Sequence, residues 1–393
     1  MTPAARIQAA IDILDAVLGG AAAEQSLTTW ARKSRYAGAA DRAAVRDHVF
    51  DALRCRRSHA WLGGAETGRG LMIGALRAAG HAPGDLFTGV GYGPAPLASD
   101  EIPTGDLSEA PEGVRLDMPD WLLPELQSSL RPDCGAICDV MRARAPVFLR
   151  CNLRSASRAV AAAVLRRDGI ETRPHSLAGT ALEVTANPRR IQASQAFSDG
   201  LVELQDAASQ AVVEALPLRD GAKVLDFCAG GGGKALAMAA RANLQVTAHD
   251  ANPARLRDLP GRAKRAAAAI DIRPLPDVQR RAPYDLVLCD APCSGSGAWR
   301  RSPDAKWRLT RQRLADLRKL QAQILDQAAA LVQRGGHLAY ATCSLLDSEN
   351  SAQVAAFIGR TPGWRLTQEL RLTPLDGGDG FYLGLLTRAL QQS

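Results

Sequence analysis

The sequence has few aromatic residues and few lysines. Aromatic residues make up 5% of the 393 residues, and six of the 48 basic residues are lysine. The formal net charge of +7 permits a polyanionic partner without requiring one. With 46% hydrophobic and 23% charged residues, the composition excludes a disordered or fibrous chain and is typical of a folded protein.

Long apolar segments are also missing. No uninterrupted apolar run reaches 18 residues, which argues against a membrane-spanning helix. The first 20 residues carry Arg6 and Asp12 inside their apolar pattern, and a secretory signal has a different pattern. We therefore expect a cytoplasmic protein with no membrane partner.

The cysteines lack the spacing of a metal site or a disulfide framework. They stand at positions 55, 134, 138, 151, 228, 289, 293 and 343, with no CxxC pair, which excludes a zinc ribbon and a disulfide scaffold. The sequence also contains no HExxH motif. We predict reduced thiols and no metal.

Four regions with different patterns follow one another along the chain, and the length predicts two or three domains. Residues 1–80 have apolar positions at helical spacing and a basic second half, which suggests a helical RNA-binding domain or an ordinary solvated helix face. Residues 81–118 are rich in Gly, Pro and Asp and predict a linker or loop. Residues 119–197 predict a small helical and α+β connecting unit, and residues 198–393 the largest domain.

The largest domain alternates buried strands with helices, which predicts a doubly wound, Rossmann-like α/β sheet. We predict strands at AKVLDFCA, LQVTAHDA, AIDIRPL, YDLVLCDAP and HLAYATCS. The long helix between the last two is predicted to include Val332 and to end at Gly335 and Gly336.

A glycine loop follows the first of these strands, but it is not the loop of a nucleoside triphosphatase. A P-loop needs GxxxxGK followed by Ser or Thr. Cys228 stands five positions before Gly233, and Ala235 follows Lys234. This spacing excludes triphosphate binding of that kind.

The same loop fits a nucleoside-containing cofactor. Gly230, Gly232 and Ala235 satisfy GxGxx(G/A) between a strand and a helix, and Asp250 stands twenty residues after Gly230. A carboxylate at the end of the second strand can accept hydrogen bonds from ribose hydroxyls. These residues alone leave nicotinamide dinucleotides and S-adenosylmethionine as alternatives.

Two cysteine motifs follow the ends of later strands. Asp290 ends YDLVLCD and leads into residues 291–297 with Cys293, while Cys343 lies at the end of HLAYATCS. Because ligands of open α/β sheets bind at the carboxyl ends of the strands, both thiols and Asp290 should converge beside the cofactor. A thiolate placed there could attack an electron-poor carbon.

Three segments resemble the signature motifs of the RsmB/Sun family of RNA cytosine-5 methyltransferases in order and spacing: DFCAGGGGKALAMA, LCDAPCSGSGAWRRSPDAKWRL and GGHLAYATCSLLDSEN. The resemblance covers residues from about 198 to 388. The front of the chain is similar to the NusB-like helical domain of that family. One departure is the missing proline: where the family usually has AlaProGlyGlyLys, this chain has Ala229, four glycines at 230–233 and Lys234.

The resemblance implies an S-adenosylmethionine-dependent enzyme and a role for each motif. Cys343 would be the nucleophile, Cys293 the thiol that helps to release the product, and Asp290 a base contact. A third acidic cofactor contact would be Asp271 or Asp277, and its position after the strand favours Asp277. The implied cofactor residues are Cys228, Ala229, Gly230, Gly231, Gly232, Gly233, Lys234, Asp250, Asp277 and Asp290.

The implied substrate is a cytosine in RNA, and the family favours small-subunit (16S) ribosomal RNA. Arg300, Arg301 and Lys306 follow the Cys293 motif and are predicted to contact RNA or to order the loop, with a salt-bridged loop as the alternative. We expect a monomer that binds RNA. A transfer RNA or another RNA as substrate, a Rossmann-fold oxidoreductase, and an inactive RNA-binding assembly factor are the alternatives.

Overall fold

The computed structural model describes residues 1–390 and divides them into two compact units. The first unit contains residues 1–144 together with residues 299–309, and the second contains residues 145–298 and the chain from residue 310 onward. The chain therefore leaves the second unit once, for eleven residues that belong to the first.

The first unit is helical. Its apolar residues recur at helical spacing, and they pack into one core that includes Ile7, Leu14, Val49 and Leu71. The helices of residues 1–144 are α1 (Pro3–Leu18), α2 (Ala23–Lys33), α3 (Ala39–Arg54), α4 (Arg56–Gly63), α5 (Gly68–Ala78), α6 (Glu112–Arg115), α7 (Leu123–Leu130) and α8 (Cys134–Met141).

The predicted linker at residues 81–118 packs within this unit. Most of it is loop, as predicted, but Phe87 belongs to the core formed by the first helices. Met118 is fully buried, and helices α7 and α8 also belong to the helical unit. Residue 80 is therefore not the edge of a compact unit, because apolar side chains beyond it are needed to cover the helices before it.

The second unit begins with a small four-stranded antiparallel sheet of strand order β2-β3-β1-β4. Leu149, Leu165 and Leu182 form its core with the helix that covers it. The elements are β1 (Val147–Cys151), α9 (Arg158–Arg167), β2 (Glu171–Pro174), β3 (Ala181–Ala186), α10 (Gln195–Ser198) and β4 (Val202–Leu204).

A larger sheet of seven strands within residues 1–390 has the order β10-β11-β9-β8-β5-β6-β7. Its strands are β5 (Lys223–Asp226), β6 (Gln245–Ala248), β7 (Ile270–Ile272), β8 (Tyr284–Asp290), β9 (Val332–Thr342), β10 (Trp364–Leu372) and β11 (Phe381–Arg388). The helices are α11 (Ala207–Glu214), α12 (Gly233–Ala239), α13 (Leu259–Arg265), α14 (Leu275–Arg281), α15 (Pro303–Arg308), α16 (Arg311–Ala329) and α17 (Ser351–Arg360), of which α15 lies in the helical unit.

The sheet is parallel from β7 to β9, and β11 and β10 are antiparallel. Successive residues of β8 pack on opposite faces, with Val287 in one core and Leu288 in the other. The doubly wound α/β fold predicted from the sequence is thereby confirmed. The antiparallel β11 beside β9 differs from a dinucleotide-binding sheet of order 3-2-1-4-5-6 and counts against the oxidoreductase alternative.

One boundary predicted from the sequence is wrong. Helix α16 ends at Ala329, and Gly335 and Gly336 lie inside β9 instead of terminating the helix. The pairing of β8 with β9 shifts register between Tyr284 and Leu286. The two glycines therefore belong to an irregular start of the strand, and two glycines in sequence do not distinguish that from a helix end.

The turn before β4 yields a stability prediction. Gly200 has a φ of +70°, and a Cβ atom there would overlap the carbonyl oxygen of Arg265. Gly200→Ala should lower the free energy of unfolding by about 3 to 5 kcal/mol, because strain at positive φ adds to the clash. Gly221→Ala, at φ +80° with no described atom within 4 Å of its Cβ, should cost about 1 kcal/mol. Urea unfolding of both variants tests this, and equal losses would contradict the clash.

Candidate active site

Three neighbouring parallel strands end side by side. Strand β8 pairs in parallel with β5 on one edge and with β9 on the other. Asp226 is the last residue of β5, Asp290 the last of β8, and Thr342 the last of β9. The side chains that follow these strands therefore meet at one edge of the sheet.

Two thiols lie at this edge. Cys293 Sγ and Cys343 Sγ are 3.5 Å apart, within hydrogen-bond distance for sulfur. The Cys343 thiol and burial both raise the pKa of Cys293, so this thiol stays protonated at neutral pH. The Gly297 amide donates to the carbonyl oxygen of Cys343 at 2.9 Å, which joins the two loops.

A lysine lies close to both the sheet edge and the glycine loop. Lys234, in the first turn of α12, is 8% exposed, and its Nζ donates to Asp290 Oδ2 at 2.7 Å. The same ammonium group lies 4.5 Å from the ring centroid of Phe381 at the start of β11. A buried ammonium needs such partners, since desolvation would otherwise favour its neutral form.

A cavity of about 280 Å³ opens beside this lysine. It reaches from the glycine loop to the end of β8, and its lining is mostly polar. The lining residues are Leu204, Gln205, Ser209, Asp226, Cys228, Ala229, Gly230, Gly231, Gly233, Lys234, Arg255, Arg262 and Asp290.

Asp226 is the most perturbed carboxyl group of the cavity. It is 1% exposed, and within residues 1–390 neither of its carboxyl oxygens has a hydrogen-bond partner. Burial and the nearby Asp290 charge raise the pKa of Asp226 to about 7. Burying a carboxylate without hydrogen-bond partners costs free energy. A cation bound in the cavity would be a partner for Asp226.

These residues fit S-adenosylmethionine, whose sulfonium and ammonium groups are both cationic. Asp226 offers unpartnered carboxyl oxygens in the cavity. At Gly232 the φ of +78° and the proximity of Leu259 leave no room for a Cβ atom, so glycine is needed for the loop to turn into α12. The predicted residues from Cys228 to Lys234 line the cavity except for Gly232, which shapes the turn.

Asp250 lies just after the end of β6, as its spacing predicts, and is 5% exposed. Its Oδ2 accepts hydrogen bonds from the Gly230 amide at 2.9 Å and from Arg255 at 3.1 Å. Its Oδ1 accepts the Asn252 amide at 2.9 Å. Asp250 thus holds the glycine loop against the end of β6, and its contact with a ribose stays a prediction.

The candidates for a third acidic contact lie outside the lining of the cavity. Asp277 belongs to the first turn of α14 and pairs with Arg280 and with Arg273. Asp271 lies in β7 and pairs with Arg273 and Arg281. Both carboxylates are engaged with arginines, and the choice of Asp277 over Asp271 stays a prediction.

The predicted RNA contacts need a correction. Arg300 is 3% exposed and Lys306 is 2% exposed. Lys306 Nζ donates to the carbonyl oxygens of Arg54 at 3.1 Å and of Asp117 at 2.7 Å. Side chains buried in the helical unit do not offer charge to a phosphate, so Arg300 and Lys306 are not surface contacts for RNA. Arg301 is partly exposed and stays a predicted contact.

The segment 299–309 is instead held in the helical unit by its polar groups. Arg54 Nε donates to the carbonyl oxygen of Arg300 at 2.7 Å, and Trp307 Nε1 donates to that of Leu53 at 2.6 Å. Burial lowers the pKa of Lys306 to about 8, against the opposing effect of Asp117. For WRRSPDAKW the sequence left a salt-bridged loop, loop-ordering contacts and RNA contacts as alternatives, because sequence spacing does not show which partners a lysine has.

The sequence interpretation missed two carboxylates, Asp226 and Glu349. Asp226 ends a buried strand, and the rule that selected Asp290 also applies to it. Glu349 is fully buried and accepts hydrogen bonds from Ser294 and Gln321, and its position after HLAYATCS gave no signal because these partners are 55 and 28 residues away in sequence. Cys228 and Cys289 have pKa values raised by burial, as expected of thiols that serve packing.

The sheet order, the glycine loop and the cavity define the class: this is the fold of an S-adenosylmethionine-dependent methyltransferase. The crystal structure of PH0851 has this fold, with a TM-score of 0.74, 22% identity, and coverage of 98% of this chain and 99% of that one. Residues 213–382 match the family model described as 16S rRNA methyltransferase RsmB/F. Residues 118–191 match the ferredoxin-like domain of RsmF/B-like methyltransferases.

Curated relatives are similar over most of the chain. Ribosomal RNA small subunit methyltransferase B of Citrobacter koseri is 36% identical over 287 residues, which cover 69% of this chain and 66% of the relative. The protein of the same name from Salmonella arizonae is 33% identical over 296 residues, with 71% and 68% covered. The chain belongs to the RsmB/F family of methyltransferases, which confirms the predicted family and its cofactor, S-adenosylmethionine.

The match spans about two thirds of the length of these relatives. The NusB-like character of the front of the chain is not part of the matched family models and stays a prediction. No helix within residues 1–390 has the length and apolar character needed to cross a membrane.

A substitution at Lys306 tests its buried role. Lys306→Met keeps most of the volume but removes the donor to two buried carbonyl oxygens, so the free energy of unfolding should fall by about 3 kcal/mol. Arg308→Met, whose side chain is 61% exposed, should change it by less than about 0.5 kcal/mol. Urea unfolding measures both. Unchanged stability of Lys306→Met together with weaker RNA binding would restore Lys306 as an RNA contact.

The Asp226 carboxyl group predicts a pH dependence. Its pKa in the folded protein, about 7, lies above the ordinary value of 3.8, so ionisation as pH rises from 4 to 8 destabilises the folded state. In the absence of S-adenosylmethionine, ionisation of Asp226 should lower the free energy of unfolding by roughly 3 to 5 kcal/mol between pH 4 and pH 8. Asp226→Asn should remove that loss and weaken the binding of S-adenosylmethionine most at pH 8. Identical pH profiles for the two proteins would contradict the assignment.

Proposed function

We propose that the protein transfers a methyl group from S-adenosylmethionine to carbon 5 of a cytosine in RNA. Cys343 is the nucleophile, and Cys293 assists the release of the product. The observation that carries this proposal is the pair of thiols 3.5 Å apart that follow the ends of adjacent strands. Cys293 stands three residues after Asp290, whose carboxylate lines the cavity, and Cys343 directly follows β9.

The chemistry of the pyrimidine ring requires a nucleophile of this type. Carbon 5 of cytosine is too weak a nucleophile to take a methyl group, but a thiolate that adds to carbon 6 converts the ring into an enamine. S-adenosylmethionine, when bound, supplies the electrophilic methyl group. Cys343 follows β9 directly and lies in a loop joined to the Cys293 loop, so a base could meet both thiols.

The two thiols suit different roles. The raised pKa of Cys293 keeps its proton near neutral pH, and a protonated thiol is a poor nucleophile. After methyl transfer the carbon 5 proton must leave and Cys343 must be eliminated. Cys293, within hydrogen-bond distance of Cys343, can exchange protons at that stage or position a water molecule that does so.

Asp290 and Lys234 are proposed to hold the base. Lys234 donates to one carboxyl oxygen of Asp290, which leaves the other oxygen for the polar edge of a pyrimidine. Charge that moves into the ring as the thiolate adds would be stabilised by the ammonium group nearby. Attack on carbon 6 comes from above the ring plane, so the target base must be unstacked, as in a loop or after flipping.

The proposed substrate is small-subunit ribosomal RNA. Support comes from the names of the curated relatives, which are ribosomal RNA small subunit methyltransferases. A transfer RNA or another RNA would use the same chemistry. Methylation of purified RNAs with labelled donor, followed by mapping of the 5-methylcytosine, distinguishes these substrates. RNA bound without any methyl transfer would favour the inactive assembly factor.

Single cysteine substitutions test the covalent route. Cys343→Ala should abolish both turnover and attachment to RNA. Cys293→Ala should still attack and then stall, because elimination is impaired, so an RNA-linked protein should accumulate. Denaturing gel electrophoresis would show it as a slower band that disappears with ribonuclease.

The double variant Cys293→Ala/Cys343→Ala is the matched control, and it should give no band because trapping requires the nucleophile. A band from Cys343→Ala instead would reverse the two roles. Loss of activity in both single variants, with no trapped RNA in either, would contradict covalent catalysis.

A further inference from the structure

A buried carboxylate lies between the two cysteine loops. Glu349 follows β9 by seven residues, is fully buried, and has no role in the steps proposed above. Taking a carboxylate out of water is costly unless hydrogen bonds replace the lost hydration. Glu349 receives these hydrogen bonds from three surrounding segments of the same unit.

The first set of hydrogen bonds comes from the residue after Cys293. The Ser294 amide donates to Glu349 Oε1 at 2.9 Å, and Ser294 Oγ donates to Oε2 at 2.5 Å. Gln321 of α16 donates to Oε1 at 3.0 Å and to the carbonyl oxygen of Pro292 at 2.9 Å. The backbone on both sides of Cys293 is therefore tied to Glu349, directly at Ser294 and through Gln321 at Pro292.

The second set comes from the residues around Cys343. Ser344 Oγ donates to Glu349 Oε2 at 2.6 Å. The next residue, Asn350, accepts a hydrogen bond from Thr342 Oγ1 at 2.5 Å and donates to the carbonyl oxygen of Ser344 at 2.9 Å. Cys343 is thus flanked on both sides by residues bonded to Glu349 or Asn350.

We propose that Glu349 is a positioning residue that sets the separation of the Cys293 and Cys343 thiols by bonding the loops that carry them. This inference rests on the proposed function, in which the two thiols act in sequence on one base. A carboxylate that accepts four hydrogen bonds from Ser294, Gln321 and Ser344 allows less movement than two loops held only by their backbones. Loss of the bridge lets the thiols move apart without removing either one.

A cross-linking rate measures the separation without RNA or donor. Diamide accepts two hydrogens and becomes the hydrazine, while two thiols lose them and form a disulfide bond. In the first step one thiol adds to diamide. In the second step the other thiol attacks the sulfur of that adduct and releases the hydrazine, so the distance between the two thiols governs its rate. Mass spectrometry of digested protein quantifies the peptide that joins Cys293 to Cys343.

Glu349→Gln keeps the volume but replaces an acceptor oxygen by a donor, so Ser294 and Ser344 lose one shared acceptor. The Cys293–Cys343 cross-link should form about tenfold more slowly or worse, since small displacements of reacting groups have large effects on rate.

Asp285→Asn is the matched control variant. Asp285 lies at the start of β8, and Cys293 follows the other end of that strand. The Asp285 carboxylate accepts hydrogen bonds from the Lys223 amide at 2.8 Å and from the Gln333 side chain. This variant loses a multiply bonded carboxylate and should leave the cross-linking rate unchanged. If Glu349→Gln does not fold, Ser294→Ala and Ser344→Ala each remove one side of the bridge and should slow the cross-link severalfold.

A cross-link at the wild-type rate in folded Glu349→Gln, or in both serine variants, would overturn the proposal. A turnover assay then separates positioning from general damage: kcat should fall about tenfold or more, while the KM for S-adenosylmethionine should stay within about twofold. Unchanged kcat with a slower cross-link would also overturn it. If Cys293→Ala traps no RNA while Glu349→Gln slows the cross-link, the covalent route fails and the positioning of the thiols stands.

Discussion

The arrangement of the site depends on the ion pair between the Lys234 ammonium group and Asp290. The ammonium group bonds to Asp290 at the end of β8 and lies against the Phe381 ring at the start of β11. Its charge also opposes the rise in the pKa of Asp226 at the end of β5. One buried cation thus compensates negative charge from two central strands and fixes the glycine loop, which carries it, beside the loop of Cys293. Without it, Asp290 would lose its ion pair, and the pKa of Asp226 would rise further because the attraction of the Lys234 charge would be missing.

Much of the fold and part of the site could be predicted from the sequence. Buried apolar strands that alternate with helices predict the parallel sheet, and the carboxyl-end rule places Asp290, Cys293 and Cys343 together, where the structure has the two thiols in contact. The helix end near Gly335 was misplaced because glycine serves both helix termini and irregular strands. Glu349 could not be found, because its partners come from residues 294, 321 and 344, and hydrogen bonds between distant segments leave no local pattern.

The same reason explains the correction at Lys306. A run of basic residues has the same sequence pattern whether its side chains are exposed to solvent or buried against polar groups. Composition alone therefore predicts that they are exposed. In the structure, backbone carbonyl oxygens of Arg54 and Asp117 surround the ammonium group. The basic run therefore predicted a surface at Lys306, where the structure has a buried contact. The residues that remain candidates for contacting RNA are Arg301 and the exposed arginines of the helical unit.

The return of residues 299–309 to the helical unit has a consequence for synthesis. A ribosome completes residues 1–144 long before it reaches residue 309, and the helical unit lacks Trp299, Lys306 and Leu309 until then. At an elongation rate of about 5 to 20 residues per second this delay is roughly 10 to 30 s. During that time the backbone carbonyl oxygens of Leu53, Arg54 and Asp117 have only water as partners in place of this segment. The nascent amino-terminal region is therefore an incomplete folding unit, and a chain truncated at residue 144 exposes the surface that a full-length chain covers.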